Sequence, residues 1–146
     1  MGKVIKIGIS KNKGGQIIDV NEIDAIHGKG LINDRHFKEN NDKKSQITLI
    51  EIENINYFNK LYNTNITPLD FRRNIITENI RLNELVKREF FIGKVKVLGH
   101  DLCRPCRYLE NFLKQKNFVK ELLLKAGLRC EILSSGKISV GDIIKL

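Results

Sequence analysis

The sequence predicts a mainly β domain with a few short helices, an α+β fold in which the strands form a closed or partly closed barrel. Apolar and polar residues alternate in many short segments, and glycine-rich or polar turns separate those segments. Helical spacing of apolar residues occurs in only a few places. Many short strands with few helices are typical of this architecture.

The first part of the chain begins with a predicted hairpin, because KVIKIGIS and QIIDV are β-rich and KNKGG between them supplies turn residues. NEIDAIHG continues as a strand. HGKGLINDRHFKENNDKK is too polar for a core strand and predicts a long loop of the kind that often carries function.

A strand, a helix and a second loop are predicted next. QITLI is short, apolar and β-branched, as strands are. In EIENINYFNKLYN the side chains of Ile55, Phe58 and Tyr62 fall on one face of a helix. NTNITPLDFRR crowds turn-forming residues together and predicts a loop.

The second half contains further strands and two helices. NIITEN, REFFIG and KVKVLG predict strands, and so do LRCEIL, KISV and DIIKL at the end of the chain. Between these groups, RYLENFLKQK and FVKELLLKAG predict short helices, the second of which stops at Gly127.

Length and composition favour one cytoplasmic domain spanning residues 1–146. The chain is 29% charged and has no apolar run near the ~20 residues of a membrane-spanning helix. Its first residues, MGKVIKIGIS, alternate apolar residues with lysine and glycine, which a secretory signal does not do. In the cytoplasm, three cysteines are expected as reduced thiols.

The charge distribution favours a small anionic ligand over nucleic acid. Lys and Arg number 26 against 17 Asp and Glu, a net charge of +9. A basic nucleic-acid-binding module stays open as an alternative, but no basic stripe interleaves with aromatics, which form only 7% of the chain. Most arginines instead lie beside glycine, cysteine or asparagine motifs, which indicates an anion pocket: Arg35, Arg72, Arg73, Arg104, Arg107 and Arg129.

DLCRPCRYLE contains a C-x-x-C pair that admits a zinc, a redox or a single-thiolate interpretation. Structural zinc commonly needs four ligands, and this chain has one pair with only His100 and Cys130 to add, so no zinc is expected. In a thioredoxin-like domain the dithiol lies near the start and a cis-proline follows later in the chain. Here Cys103 and Cys106 lie late and the only other proline, Pro68, precedes them, so their position disfavours the redox interpretation.

The third interpretation is one functional thiolate, Cys106. It precedes a predicted helix and is flanked by Arg104 and Arg107, and both features lower the pKa of a thiol. Two buried reduced cysteines are the structural alternative. Such a thiolate can attack, carry sulfur or ligate a soft metal.

Two further segments are candidates for a site. GKGLINDRHF lacks the nucleotide-binding glycine patterns but contains Asp34, Arg35 and His36, and a histidine can serve as acid, base or ligand. DFRRNI places two arginines together. Each segment alone equally fits an exposed loop.

Taken in order, the segments of this chain resemble the MOSC domain, named after the carboxy-terminal domain of molybdenum cofactor sulfurase. The resemblance extends roughly from Ile23 to Leu146 and is carried by GKGLINDRHF, QITLIEIE, DFRRNIIT, RLNELV, FFIGKVKV, DLCRPCRYLE, AGLRCEIL and GKISVGDIIKL. It implies a short, stand-alone member of the family with a barrel-like fold.

The resemblance also implies a function. Members bind the molybdenum cofactor or carry sulfur, and some relatives reduce N-hydroxylated compounds with cofactor held by a cysteine. The functional cysteine and molybdenum ligand falls on Cys106. The cofactor pocket would be lined by Arg35, His36, Arg72, Arg73, Asn74, Arg104 and Arg107.

This chain departs from the family pattern in its D-R-H loop and in its lack of an accompanying domain, and it shares a turn near its end with the family. Asn33 stands where the family loop has glycine, so a left-handed asparagine is expected there. Gly141 and Asp142 are interpreted as turn residues. No redox or aminotransferase-like domain accompanies the motifs, so a separate sulfur donor or redox partner is expected.

Overall fold

The computed structural model describes residues 1–12, 15–104 and 124–146. Within them lie one α-helix, α1 (Ile52–Tyr62), and two 3-10 helices, Pro68–Phe71 and Leu82–Leu85. The strands are β1 (Gly2–Ile9), β2 (Ile18–Val20), β3 (Glu22–Ile26), β4 (Gly30–Leu31), β5 (Ile47–Glu51), β6 (Ile75–Glu78), β7 (Glu89–Ile92), β8 (Val95–Leu102), β9 (Leu128–Ile132), β10 (Gly136–Ser139) and β11 (Ile143–Lys145). The prediction of a mainly β fold is confirmed.

Seven of these strands form a closed barrel, in the order β1, β6, β5, β9, β8, β7, β11 and back to β1. Closure comes from β1, which pairs with β11 at Gly2 and Lys3 and with β6 farther along. The last residues of β1 pair with β2, so the predicted hairpin is confirmed. Strands β10, β3 and β4 form a separate three-stranded sheet.

The barrel interior is filled by branched and aromatic side chains from alternate strand positions. Leu49, Ile75, Phe90 and Val97 are fully buried there, together with the thiol of Cys130. Burial of this kind supplies the main stabilisation of a domain, about 1.5–3 kcal/mol for each large apolar side chain. Cys130 is therefore a core residue of the barrel.

A second apolar layer lies between the outside of the barrel and α1. Ile55 and Phe58 of the helix are buried against Phe71 and Ile76, and the Phe58 and Phe71 rings meet edge to face at 6.1 Å. Strands β5 and β6 are parallel, so the chain between them must cross over, and α1 lies in that crossover. The predicted helical face is confirmed.

Two loops contain more regular structure than the sequence predicts. The long polar loop includes β4, whose residues are buried, and the second loop includes the 3-10 helix Pro68–Phe71. Most of the segment predicted as two helices after Cys106 lies outside the described residues. Among the helices of the described ranges, none is long and apolar enough to cross a membrane.

Candidate functional site

The D-R-H segment is attached to the end of β1 by a pair of hydrogen bonds. The Ser10 amide donates to Asp34 Oδ1 at 3.0 Å, and the Arg35 amide donates to the Ser10 carbonyl at 2.7 Å. Asn33 has φ of 70°, so the left-handed asparagine expected from the sequence is confirmed. The turn thereby places Arg35 beside β1.

Asp34 and His36 form a carboxylate–imidazole pair. His36 Nδ1 lies 3.5 Å from Asp34 Oδ2, which also accepts the His36 amide at 3.3 Å. Asp34 is buried, whereas the His36 side chain is 47% exposed. Burial alone would raise the pKa of Asp34, but hydrogen bonds from His36 and Ser10 outweigh it and hold that pKa below the usual value. The charged carboxylate orients an accessible imidazole.

The two arginines of the R-R-N segment point to different neighbours. Arg72 adopts a left-handed conformation, with φ of 63°, and donates through Nη1 to the Gly15 carbonyl at 2.9 Å. Arg73 donates through Nε to the Ala126 carbonyl at 2.8 Å and through Nη2 to the Arg104 carbonyl at 3.5 Å. Arg73 therefore connects the R-R-N segment with the described part of the cysteine motif, whereas Arg72 binds the loop that follows β1.

Asn74 links two strands with its buried side chain. Its Oδ1 accepts the Thr48 amide at 3.1 Å and the Thr48 hydroxyl at 3.2 Å, while its Nδ2 donates to the Gly8 carbonyl at 3.1 Å. Both ends of the Asn74 side-chain amide are therefore hydrogen-bonded to other groups of the protein. The structure thus gives Asn74 a supporting role, and its predicted place in a cofactor pocket stays a prediction.

Charged pairs cover the outside of β8 and β9. Arg129 binds Asp101 through two bonds, Nε lying 3.0 Å from Oδ1, and Lys44 Nζ lies 3.7 Å from the same carboxylate. The hydrogen bonds from Arg129 hold the pKa of Asp101 below its usual value. Asp101 neutralises Arg129, so this guanidinium is less available to an added anion than its sequence position predicts.

Cys103 lies at the end of β8, outside the barrel, in the layer that contains α1. Its amide donates to the Gly127 carbonyl at 2.7 Å, and its side chain is buried. Burial raises the pKa of the Cys103 thiol more than the charges of Arg73 and Arg129 lower it. Burial also raises the pKa of Cys130 well above its usual range. Both thiols are therefore protonated at neutral pH.

The predicted Cys106 and Arg107 lie outside the described residues. In the part of the chain that the structure describes, no three His, Cys, Asp or Glu side chains gather as a metal site requires. His100, which the zinc interpretation would have used, has a different partner, since its Nε2 lies 3.1 Å from Glu131 Oε1.

The described motif residues surround the end of β1 and the start of β6. Ser10 binds the D-R-H segment, Gly8 binds Asn74, and Arg73 reaches the Arg104 carbonyl. Asp34 belongs to a segment that the sequence analysis named as a candidate, but it was left out of the cofactor pocket that the family resemblance implies. Its position directly before Arg35 and His36 was the available signal, but only the fold shows that its carboxylate is buried.

Comparison with known proteins shows the same architecture elsewhere. A family model of the MOSC domain matches residues 26–145. The YuaD protein from Bacillus subtilis superimposes with a TM-score of 0.82 at 19% identity, over 99% of this chain and 94% of that chain. YiiM from Geobacillus stearothermophilus gives 0.77 at 15% identity, covering 100% of this chain and 75% of that chain.

YiiM from Escherichia coli gives a TM-score of 0.74 at 16% identity, over 100% of this chain and 69% of that chain. Identities at this level show a shared fold. A search of curated proteins finds no match.

Proposed function

Because the chain belongs to the MOSC domain family, we propose that it binds the molybdenum cofactor or carries sulfur, with Cys106 as the functional thiolate. One observation supports this proposal above the others. Arg73, from the R-R-N segment, hydrogen-bonds the carbonyl of Arg104, which lies between the two cysteines of the C-R-P-C motif. Two motifs separated by 31 residues are therefore in contact.

The charges near this contact fit an anionic ligand. No carboxylate pairs with Arg73 or Arg104 among the residues in the described ranges, in contrast to Arg129. Burial raises the pKa of Cys103, and the positive charge of Arg73 acts in the opposite direction. The Arg73 charge is therefore felt at the cysteine motif. The cofactor is a pterin with a phosphate and a dithiolene, and each charge-assisted hydrogen bond to such a group contributes about 1.5–3 kcal/mol.

Each residue has a distinct role in this proposal. Arg73, Arg104 and Arg107 bind the anionic group, and Cys106 supplies the thiolate that ligates molybdenum or accepts sulfur. Asp34 orients His36, which can hold or release a proton at Nε2. When bound, the cofactor supplies redox chemistry or an acceptor for sulfur.

Sulfur carriage uses the same thiolate without the metal. The Cys106 thiolate attacks the outer sulfur of a persulfide on a donor protein, forms a Cys106 persulfide and releases the donor thiolate. A separate sulfur-donor protein is the partner in that case. A separate redox partner is needed if the bound cofactor turns over.

The deciding experiment is elemental analysis of the protein expressed in a host that makes molybdenum cofactor. We expect the wild type to retain molybdenum, Cys106→Ala to lose it, and Cys103→Ala to keep most of it. Equal retention by Cys106→Ala and the wild type would remove the ligand role.

Sulfur carriage is tested by mass spectrometry after incubation with a persulfide donor. The expected product is a persulfide on Cys106. A persulfide that maps to Cys103 or Cys130 would contradict the assignment of the functional thiolate.

The role of Arg73 is tested with a matched charge change. Arg73→Gln should lower retention of the cofactor. Arg88→Gln removes the same charge from an exposed position immediately before β7 and should leave retention unchanged. If the two variants retain equal amounts, the anion-binding role of Arg73 is wrong.

A further inference from the structure

Arg129 and Asp101 form an ion pair with two hydrogen bonds beside the cysteine motif. Arg129 Nε donates to Asp101 Oδ1 at 3.0 Å, and Arg129 Nη2 donates to Oδ2 of the same carboxylate. Both side chains remain accessible, since 33% of Arg129 and 38% of Asp101 is exposed. A guanidinium binds a carboxylate with the same forked donors that it would offer to an anionic ligand. The pair therefore occupies an accessible anion-binding group.

Strand pairing places Arg129 next to the R-R-N segment. Its register partner on β8 is Asp101, and its register partner on β5 is Thr48. The side chains of Arg129 and Thr48 both point away from the barrel interior, as the alternating burial of their strands shows. The Thr48 hydroxyl donates to Asn74 Oδ1 at 3.2 Å, and Asn74 directly follows Arg73. Arg129 and the R-R-N segment thus share one part of the outer barrel surface.

The charges of Arg129 and Arg73 act on the same thiol. Burial raises the pKa of Cys103, the charges of both arginines oppose that effect, and the charge of Asp101 adds to it. The Cys103 amide donates to the carbonyl of Gly127, two residues before Arg129, at 2.7 Å. Both guanidinium groups therefore lie near the described part of the cysteine motif.

Among the described residues, cations outnumber carboxylates around this motif. The cations are Lys44, Arg73, Arg104 and Arg129, and the carboxylates are Asp42 and Asp101.

Asp101 is the carboxylate of this group that hydrogen-bonds a guanidinium, whereas Asp42 Oδ1 accepts the Lys44 amide at 2.7 Å. The hydrogen bonds from Arg129 hold the pKa of Asp101 below its usual value, so the carboxylate is charged at neutral pH. The charge of Asp101 thus withholds one arginine from a surface that is otherwise suited to anions.

We propose that Asp101 determines which anions this site accepts, by holding Arg129 as its counter-ion. While the pair is closed, the arginines available to a ligand are Arg73 and Arg104, which favours a larger organic anion over a small inorganic oxyanion. Loss of the Asp101 carboxylate frees the two Arg129 donors for the small anion. This role of Asp101 rests on the anion-binding part of the proposed function, but it needs neither molybdenum nor Cys106.

Calorimetric titration of cofactor-free protein with inorganic phosphate at neutral pH tests the proposal. Asp101→Asn should bind phosphate at least about tenfold more tightly than the wild type, because Arg129 can then offer phosphate two charge-assisted hydrogen bonds. Glu131→Gln is the matched control, since it removes a carboxylate of the same barrel surface that pairs with His100 and not with an arginine. Its phosphate affinity should stay within about threefold of the wild-type value.

A double-mutant cycle identifies the group that is freed. Asp101→Asn combined with Arg129→Gln should lose the gain in affinity, and Arg129→Gln alone should bind phosphate no more tightly than the wild type. Asp101→Asn combined with Lys44→Gln should keep most of the gain, because Lys44 Nζ lies 3.7 Å from Asp101, farther than the Arg129 donors.

Asp101→Ser removes the same charge with a different side chain and should show the same gain, with folding of every variant verified by circular dichroism. Wild-type affinity in both Asp101→Asn and Asp101→Ser, an equal gain in Glu131→Gln, or a gain that survives Arg129→Gln would overturn the proposal. The gain should also appear in the Cys106→Ala background. A protein that retains no molybdenum but shows the gain would contradict the cofactor role and leave the role of Asp101 intact.

Discussion

Replacement of Asn74 by alanine should destabilise the fold even in the absence of any cofactor. The substitution removes the acceptor of the Thr48 amide and the donor to the Gly8 carbonyl, both of which lie at the junction of β1, β5 and β6. Each buried polar group left without a partner costs about 1–3 kcal/mol, so we expect a loss of about 2–5 kcal/mol in the free energy of unfolding.

Urea unfolding followed by circular dichroism measures this loss. With a denaturant slope of about 2 kcal/mol per molar urea, the midpoint should fall by about 1–2.5 M. Asn65→Ala is the matched control because its side chain is exposed, and it should leave the midpoint unchanged. If Asn74→Ala unfolds at the wild-type midpoint, the supporting role is wrong and a role in ligand contact alone remains.

Three further predictions concern the buried Asp34 carboxylate, a close approach at Gly127 and the two buried thiols. The pKa of Asp34 is lowered in the folded state, so the Asp34 carboxylate stabilises the fold above the ordinary aspartate pKa of about 3.9 and loses this effect as the pH falls through its folded pKa. Between pH 7 and pH 3, the melting temperature should therefore fall less for Asp34→Asn than for the wild type. Parallel melting curves for the two proteins would contradict this. Gly127→Ala should prevent folding, because the added Cβ would lie 2.1 Å from the Leu49 carbonyl oxygen. Gly28→Ala is the control: Gly28 also has a positive φ, but nothing lies within 4 Å of its added Cβ, so the melting temperature should fall by only a few degrees. Similar losses of soluble protein in the two variants would refute the steric reason. Iodoacetamide should label Cys103 and Cys130 in the native protein far more slowly than in urea, since burial raises the pKa of both thiols, and mass spectrometry showing rapid native labelling of either would contradict their burial.

Much of the fold was predictable because the spacing of apolar residues in a segment shows which of its faces is buried. Alternation in KVIKIGIS reflects β1, and helical spacing placed Ile55 and Phe58 on the buried face of α1. The left-handed Asn33 was predicted through the resemblance to the MOSC domain, whose loop has glycine at this position, because asparagine tolerates the same backbone conformation. The two-residue strand β4 was not, because it exists only through pairing with β3.

The candidate site was less predictable than the fold. Side-chain type identified arginines suited to anions, but each arginine's partner depends on its neighbours in space. Arg129 is paired with Asp101 through the register of β8 and β9, and Asn74 reaches Thr48 across 26 residues of sequence. Asp34 gained its role from burial beneath the end of β1.

The sequence by itself determined the strand pattern, the helical face and the motifs that place the chain in its family. Only the tertiary structure decided that the adjacent Arg72 and Arg73 serve different places, one at the loop that follows β1 and one beside the cysteine motif. The physical reason is that apolar periodicity encodes which face of a segment is buried. Hydrogen-bond partners are instead set by strand order and register, which arise only when distant segments pack together.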